Sequence, residues 1–249
     1  MSRSEPQIGS MKNKVEVRVH GIRRSGNHAI IGWIKDQFSP PIVHLNDVDS
    51  HDHDVSERVG PYQSFGSINI TGLPFWRCKP KPTSVLKHAV LGLREAVLIQ
   101  QDPWVRVGWI RSRRKNLFIH SYEDHFLDDS VFGSFEKQHD KLVGGASSRY
   151  DLIILRDAYN LFASLIKRGV VNEKNSNRYI KLYRHYCREM LGATSYSDYE
   201  STNQVFVKFN QWFSEPNYRR SVAERLGFQA DGEGYNRVAR EGGGSSFSG

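Results

Sequence analysis

Cysteine is scarce: Cys78 and Cys187 are the only two in 249 residues. Two thiols permit one bridge at most, which excludes a disulfide framework, and they cannot build a cysteine-rich zinc site. They read as free thiols in a reducing cytoplasm. No run of about 18 apolar residues occurs, so no membrane-spanning helix is expected. The opening MSRSEPQIGSMKNK has no apolar stretch of the secretory-signal kind. Long blocks of one charge are missing too. The net charge is +8, but the positives come in short groups such as Arg23-Arg24, Arg111 to Lys115 and Arg219-Arg220. That scatter disfavours an unstructured nucleic-acid-binding tail, whereas the excess itself favours an anionic partner. Core material is plentiful. With 38% hydrophobic and 12% aromatic residues the chain is excluded from the disordered and low-complexity classes.

Residues 1–13 are polar and aperiodic, and are expected to form a disordered leader to one domain over 14–249. Val15, Val17 and Val19 then alternate with charged or polar residues, the period of a strand. GIRRSG follows, and NHAIIGWIKDQF places Ile30, Trp33, Ile34 and Phe38 at helical spacing. The order is strand, glycine loop, helix, stopped by Ser39-Pro40-Pro41. Downstream the pattern predicts a strand over 42–48, a loop over 50–67, a helix over 83–99 and a strand near 117–121. Residues 129–149 are ambiguous and end in the loop GGASSR. A buried strand over 151–155 comes next, with helices over 156–168 and 173–191. A strand over 203–209 and a short helix closed by Gly227 complete the series. Alternating strands and helices predict an α/β fold, a mostly parallel sheet flanked by helices. Ligands of such sheets sit at the carboxyl ends of the strands, here just after Val19, Ile119 and Leu155.

Gly21 to Gly26 fits G-x-x-x-x-G. Between a strand and a helix, such a loop offers backbone N–H groups and the helix dipole to an anion. The ATP-binding version continues with Lys and Ser or Thr, for the phosphates and for magnesium. Here Asn27 and His28 stand in those places, and the cations Arg23 and Arg24 come earlier. The loop suits an anionic nucleotide handled without the usual magnesium-ATP apparatus. Further on, Arg156 follows a strand and Ser164 lies eight residues later, about two turns into a helix. Both can face one phosphate from the same side.

GIRRSGNHAI resembles the 5′-phosphosulfate loop of sulfotransferases that use 3′-phosphoadenosine 5′-phosphosulfate (PAPS), typically P-K-S-G-T-T/N-W. In that resemblance Arg24 takes the place of the lysine, Ser25 and Gly26 match the serine and glycine, and Asn27 matches the next residue. His28 replaces a hydroxyl residue. DLIILRDAYNLFASLIKRG resembles the family's 3′-phosphate segment, R-D-P-x-D-x-x-x-S after a strand, with Ala158 in the place of the proline. The terminal REGGGSSFSG resembles the glycine-rich closing loop, with Arg240 as a second 3′-phosphate ligand. VFVKFNQWFSEPNYRRSVAERLGF is similar to the family's late strand and helix. The resemblance implies a P-loop sulfotransferase architecture that needs no metal and takes PAPS as co-substrate, releasing adenosine 3′,5′-bisphosphate. It implies cofactor binding by Arg23, Arg24, Ser25, Gly26, Asn27, His28, Arg156, Ser164 and Arg240. The acceptor would be a small hydroxyl or amine compound or a glycan, held by the unmatched segments 50–116 and 125–149.

Sulfuryl transfer needs a base within reach of the acceptor proton. In the resembled family that base is a His or Glu near the sheet's carboxyl edge. In NLFIHSYEDHF, Ile119 and Ser121 point one way and His120 and Tyr122 the other. Glu123 is the first candidate, His120 the second, and Asp124 and His125 follow. His44, ending a strand beside the loop, is an acceptor-site contact or alternative base. The cluster His44, Asp47, Asp49, His51, Asp52, His53 and Asp54 lacks any helical H-x-x-x-H pair, and a solvated loop is expected rather than a metal site. Two rivals stand beside this reading. A nucleotide-dependent kinase would need the missing Lys and hydroxyl. A non-enzymatic module for nucleic acid or acidic polymers would show affinity falling steeply with salt.

Overall fold

A computed structural model describes residues 11–48, 65–71, 113–128, 136, 139–140, 143–192 and 203–230. The elements run β1 (Met11–Gly21), α1 (Asn27–Asp36), β2 (Ile42–Val48), β3 (Phe65–Thr71), β4 (Lys115–Glu123) and β5 (Gly145–Leu155). They continue through α2 (Ala158–Lys167), α3 (Ser176–Met190), β6 (Asn203–Lys208), α4 (Phe209–Ser214) and α5 (Pro216–Arg225). The strands form one sheet in the order β3-β2-β4-β1-β5-β6. β2, β4, β1, β5 and β6 are mutually parallel, and β3 pairs antiparallel with β2 at the edge. This is the expected α/β class, with β1 at the centre.

Alternation sorts the strand side chains between two helical layers. Val17 and Val19 of β1, Leu117 and Ile119 of β4, and Leu152 and Ile154 of β5 pack under Ile30, Trp33 and Ile34 of α1. Trp212 of α4 and Val222 and Ala223 of α5 join the same layer. On the other face Ile153 meets Leu161 and Leu165 of α2 and Tyr179, Leu182 and Tyr186 of α3. Beside this apolar cluster the second face carries charge. Glu16, Arg18 and His20, the polar partners in the β1 alternation, are all buried. Arg18 donates to Asp151 through Nη2 at 2.8 Å and lies 3.0 Å from Glu136. Burial works to raise the Asp151 pKa, but Arg18 and His20 outweigh it and hold the carboxyl below the usual range.

The boundaries depart from expectation in four places. β1 begins at Met11, inside the expected leader. Residues 65–67, read as loop, belong to β3, where Val48 pairs with Phe65. Gly145–Arg149, read as loop from its Gly and Ser content, is the first half of β5. Its ladder to β1, from Met11↔Gly145 to Glu16↔Arg149, overrides local propensity. FNQWFS forms the short helix α4, which no periodicity announces over six residues. The helix expected over 83–99 and the closing loop with Arg240 lie outside the described residues.

Candidate functional site

The register of the central strands assembles the site. Gly21 pairs with Glu123 on β4 and with Ile154 on β5, so these strands end in one row. The glycine loop therefore leaves the sheet between Glu123 and Arg156. Within it the Ser25 N–H donates to the Ile22 carbonyl at 2.9 Å, and Arg24 and Gly26 take positive φ, 71° and 94°. Gly26 caps α1 with no side-chain bond, and its carbonyl accepts from Ala29 and Ile30. The first N–H groups of α1 have no acceptor within the helix's own ladder, so the turn presents donors of the kind that anions occupy. Packing also demands both glycines. A Cβ on Gly21 would strike the Asn27 side chain, and one on Gly26 would strike the Phe209 ring.

Cations gather on one side of this loop. Arg24 Nε donates to Ser164 Oγ at 3.1 Å, across 140 residues of sequence. Arg156 Nη1 donates to the Arg24 carbonyl at 3.1 Å, and its guanidinium lies over the Phe209 ring at 5.3 Å. Arg156 Nε is buried without a hydrogen-bond partner among the described residues. Burial lowers the Arg156 pKa; Asp157 opposes this and repulsion from Arg24 adds to it. Burial lowers Arg24 likewise, with Arg168 adding repulsion. An anion seated here would relieve both arginines. Asp157 caps α2, accepting from the Asn160 N–H at 2.8 Å and from Asn210 Nδ2 at 2.8 Å, which ties the start of α2 to α4.

The carboxylates gather on the other side. Glu123 Oε1 accepts from Asn27 Nδ2 at 3.2 Å and lies 3.7 Å from His28 Nε2; Oε2 is 3.5 Å from Arg23 Nε. Arg23, largely solvent-facing, also lies 3.5 Å from Asp124 and 3.9 Å from Asp47. Asp124 braces the loop from beneath. Its Oδ1 accepts from the Arg23 N–H at 2.7 Å and its Oδ2 from the Tyr179 hydroxyl at 2.9 Å, while its own N–H donates to the Gly21 carbonyl. Burial, reinforced by Asp124, pushes the Tyr179 hydroxyl up to about 12. Glu123 is thus the expected base candidate that sits against the loop, and Asp124 is taken up in holding it.

The two histidine candidates stand on opposite faces of the sheet. His120 lies on the charged face of the sheet, fully buried, with Nε2 2.8 Å from Glu136. His44 lies on the α1 side, buried, 3.4 Å from Ser121 Oγ. Burial drives its pKa down to about 3, with Lys35 and His28 adding repulsion, so it is neutral at neutral pH. His125 offers its carbonyl to the Tyr186 hydroxyl. Sequence reasoning missed Phe209 and Asn210, which sit against Gly26, Arg156 and Asp157. Their signal was position: they follow the carboxyl end of a strand parallel to the others. Neither comparison with protein-family models nor comparison with curated proteins finds a match to this chain.

Proposed function

We propose that this chain is a PAPS-dependent sulfotransferase, moving a sulfuryl group to a hydroxyl or amine acceptor. The observation that supports it most is the junction of two distant segments: Arg24 bonds Ser164 and Arg156 bonds Arg24. A nucleoside carrying two anionic groups, in this reading, presents one to each segment. In this reading Arg24, Ser25, Gly26 and the backbone N–H groups of Asn27 and His28 hold the 5′-phosphosulfate, and Arg156 and Ser164 hold the 3′-phosphate. Arg23 screens the carboxylates beside the reacting centre.

Glu123 accepts the acceptor's proton as its oxygen or nitrogen attacks sulfur. The bond from sulfur to the bridging phosphate oxygen breaks, and Arg24 with the loop N–H groups stabilises the charge left there. Asn27 and His28 flank Glu123 and fix its carboxylate against the loop. The absence of Lys and Ser or Thr after Gly26 argues against magnesium-ATP chemistry. The test is a screen of hydroxyl and amine compounds with sulfur-labelled PAPS. A labelled product is expected without added metal. Transfer from magnesium-ATP, with none from PAPS, would contradict the proposal.

A further inference from the structure

The buried charged face of the sheet holds a second constellation, away from the anion site. β1 brings Glu16, β4 brings His120, and His139 approaches from the chain that leads into β5. One ligand atom from each lies within 4.8 Å of the others. All three residues are at most 2% exposed. Each histidine is held by a carboxylate through its other nitrogen. Glu136 Oε1 is 2.8 Å from His120 Nε2, and Asp140 Oδ1 is 2.7 Å from His139 Nδ1. Carboxylates placed so fix the ring and raise the basicity of a metal-ligating imidazole. Coordination then falls to His120 Nδ1, His139 Nε2 and Glu16 Oε1.

We propose that Glu16, His120 and His139 bind a divalent transition metal of the zinc type. Two imidazoles and one carboxylate are a zinc donor set, leaving a fourth position for water. Tetrahedral binding sets ligand atoms about 3.3 Å apart, so Glu16 Oε1 and His139 Nε2 open slightly around the ion, an adjustment that side-chain torsions supply. Glu16 Oε1 now lies 2.9 Å from His139 Nε2 and 2.8 Å from Arg149 Nε, and its Oε2 accepts from Asn13. On binding, Arg149 gives up Oε1 and keeps Asp140, 2.8 Å from its Nη2. Burial makes the metal a structural clamp, fastening His139 and Asp140 to β1 and β4. Glu16 precedes Gly21 by five residues, roughly 16 Å along the strand, so the clamp does not touch the glycine loop. No short motif announces it, because the ligands stand at positions 16, 120 and 139.

The competing account is an ionic cluster closed by Arg149 that takes no metal. The test titrates Zn²⁺ into chelator-treated full-length protein by calorimetry and Co²⁺ by visible absorption. One ion per chain, with the intense cobalt bands of low coordination number, is expected. His139→Asn keeps a group near Asp140 but removes the Nε2 ligand; His120→Gln keeps a group near Glu136 but removes Nδ1. Each should weaken Zn²⁺ binding by more than about 100-fold, because a ligand itself is lost. Asp140→Asn alters a largely exposed side chain and should weaken binding about 10–100-fold. No stoichiometric uptake would overturn the proposal, as would unchanged affinity in Asp140→Asn together with either folded histidine variant.

Discussion

Replacing Arg156 with alanine separates binding from folding. Three things leave with the side chain: the hydrogen bond to the Arg24 carbonyl at 3.1 Å, the stacking on Phe209 at 5.3 Å, and a positive charge. The bond is worth about 1.5 kcal/mol and the stacking about 0.5–1 kcal/mol. Relief of the repulsion between Arg156 and Arg24 offsets part of this. The net destabilisation should be about 1 kcal/mol, a Tm shift of about 2–4 °C for a chain of this size. Binding suffers more. A charge-assisted contact to the 3′-phosphate is worth about 1.5–3 kcal/mol, so affinity for adenosine 3′,5′-bisphosphate should fall about 10–150-fold. AMP has no 3′-phosphate and should weaken by less than about threefold. Arg156→Lys keeps the charge but not the planar fork, and should recover only part of the loss. Calorimetry with both ligands on all three proteins reads the contrast. Equal losses for AMP and the bisphosphate would show that Arg156 holds the loop rather than the phosphate.

Two further perturbations test other parts. Glu123→Gln keeps an oxygen for Asn27, and Arg23 retains Asp124 and Asp47, so folding and bisphosphate binding should stay near wild type. Sulfuryl transfer should fall about 10²–10⁴-fold in a rate assay with an identified acceptor, and near-normal turnover would remove Glu123 from the role of base. His44 titrates near 6.5 when unfolded but at about 3 when folded, so the unfolded state binds the extra proton in between and stability falls as pH drops through that window. From pH 7 to pH 5 this costs about 2 kcal/mol in urea unfolding, a loss absent from His44→Gln; identical pH slopes in the two proteins would refute it.

The parts of the fold that were legible are those where pattern and packing agree. The valines of β1 and the 3.6-residue spacing of Ile30, Trp33 and Ile34 reach one core, and the apolar run before Arg156 serves both layers, Leu152 and Ile154 on that side and Ile153 on the other. Gly145–Arg149 was illegible because a ladder to β1 forms that strand, and no local composition encodes a neighbour. The alternation in NLFIHSYEDHF did sort His120 from Ser121, but not their distance from the loop. His120 stands three residues before the strand end and its Nε2 faces Glu136, whereas Glu123 reaches the row of Gly21. In β1 the alternation hid a second core. Glu16, Arg18 and His20 pass for a solvated face until Asp151, Glu136 and His139 arrive from elsewhere in the chain. Such pairing between distant segments is visible only in three dimensions.

The most direct measurement of the central claim is calorimetry of the full chain with adenosine 3′,5′-bisphosphate, AMP and magnesium-ATP under one buffer and salt. If Arg24 and the pair Arg156 and Ser164 take two anionic groups, as proposed, the bisphosphate should bind far more tightly than either of the others, without added metal. Equal affinity for AMP and the bisphosphate, or a preference for magnesium-ATP, would contradict the account.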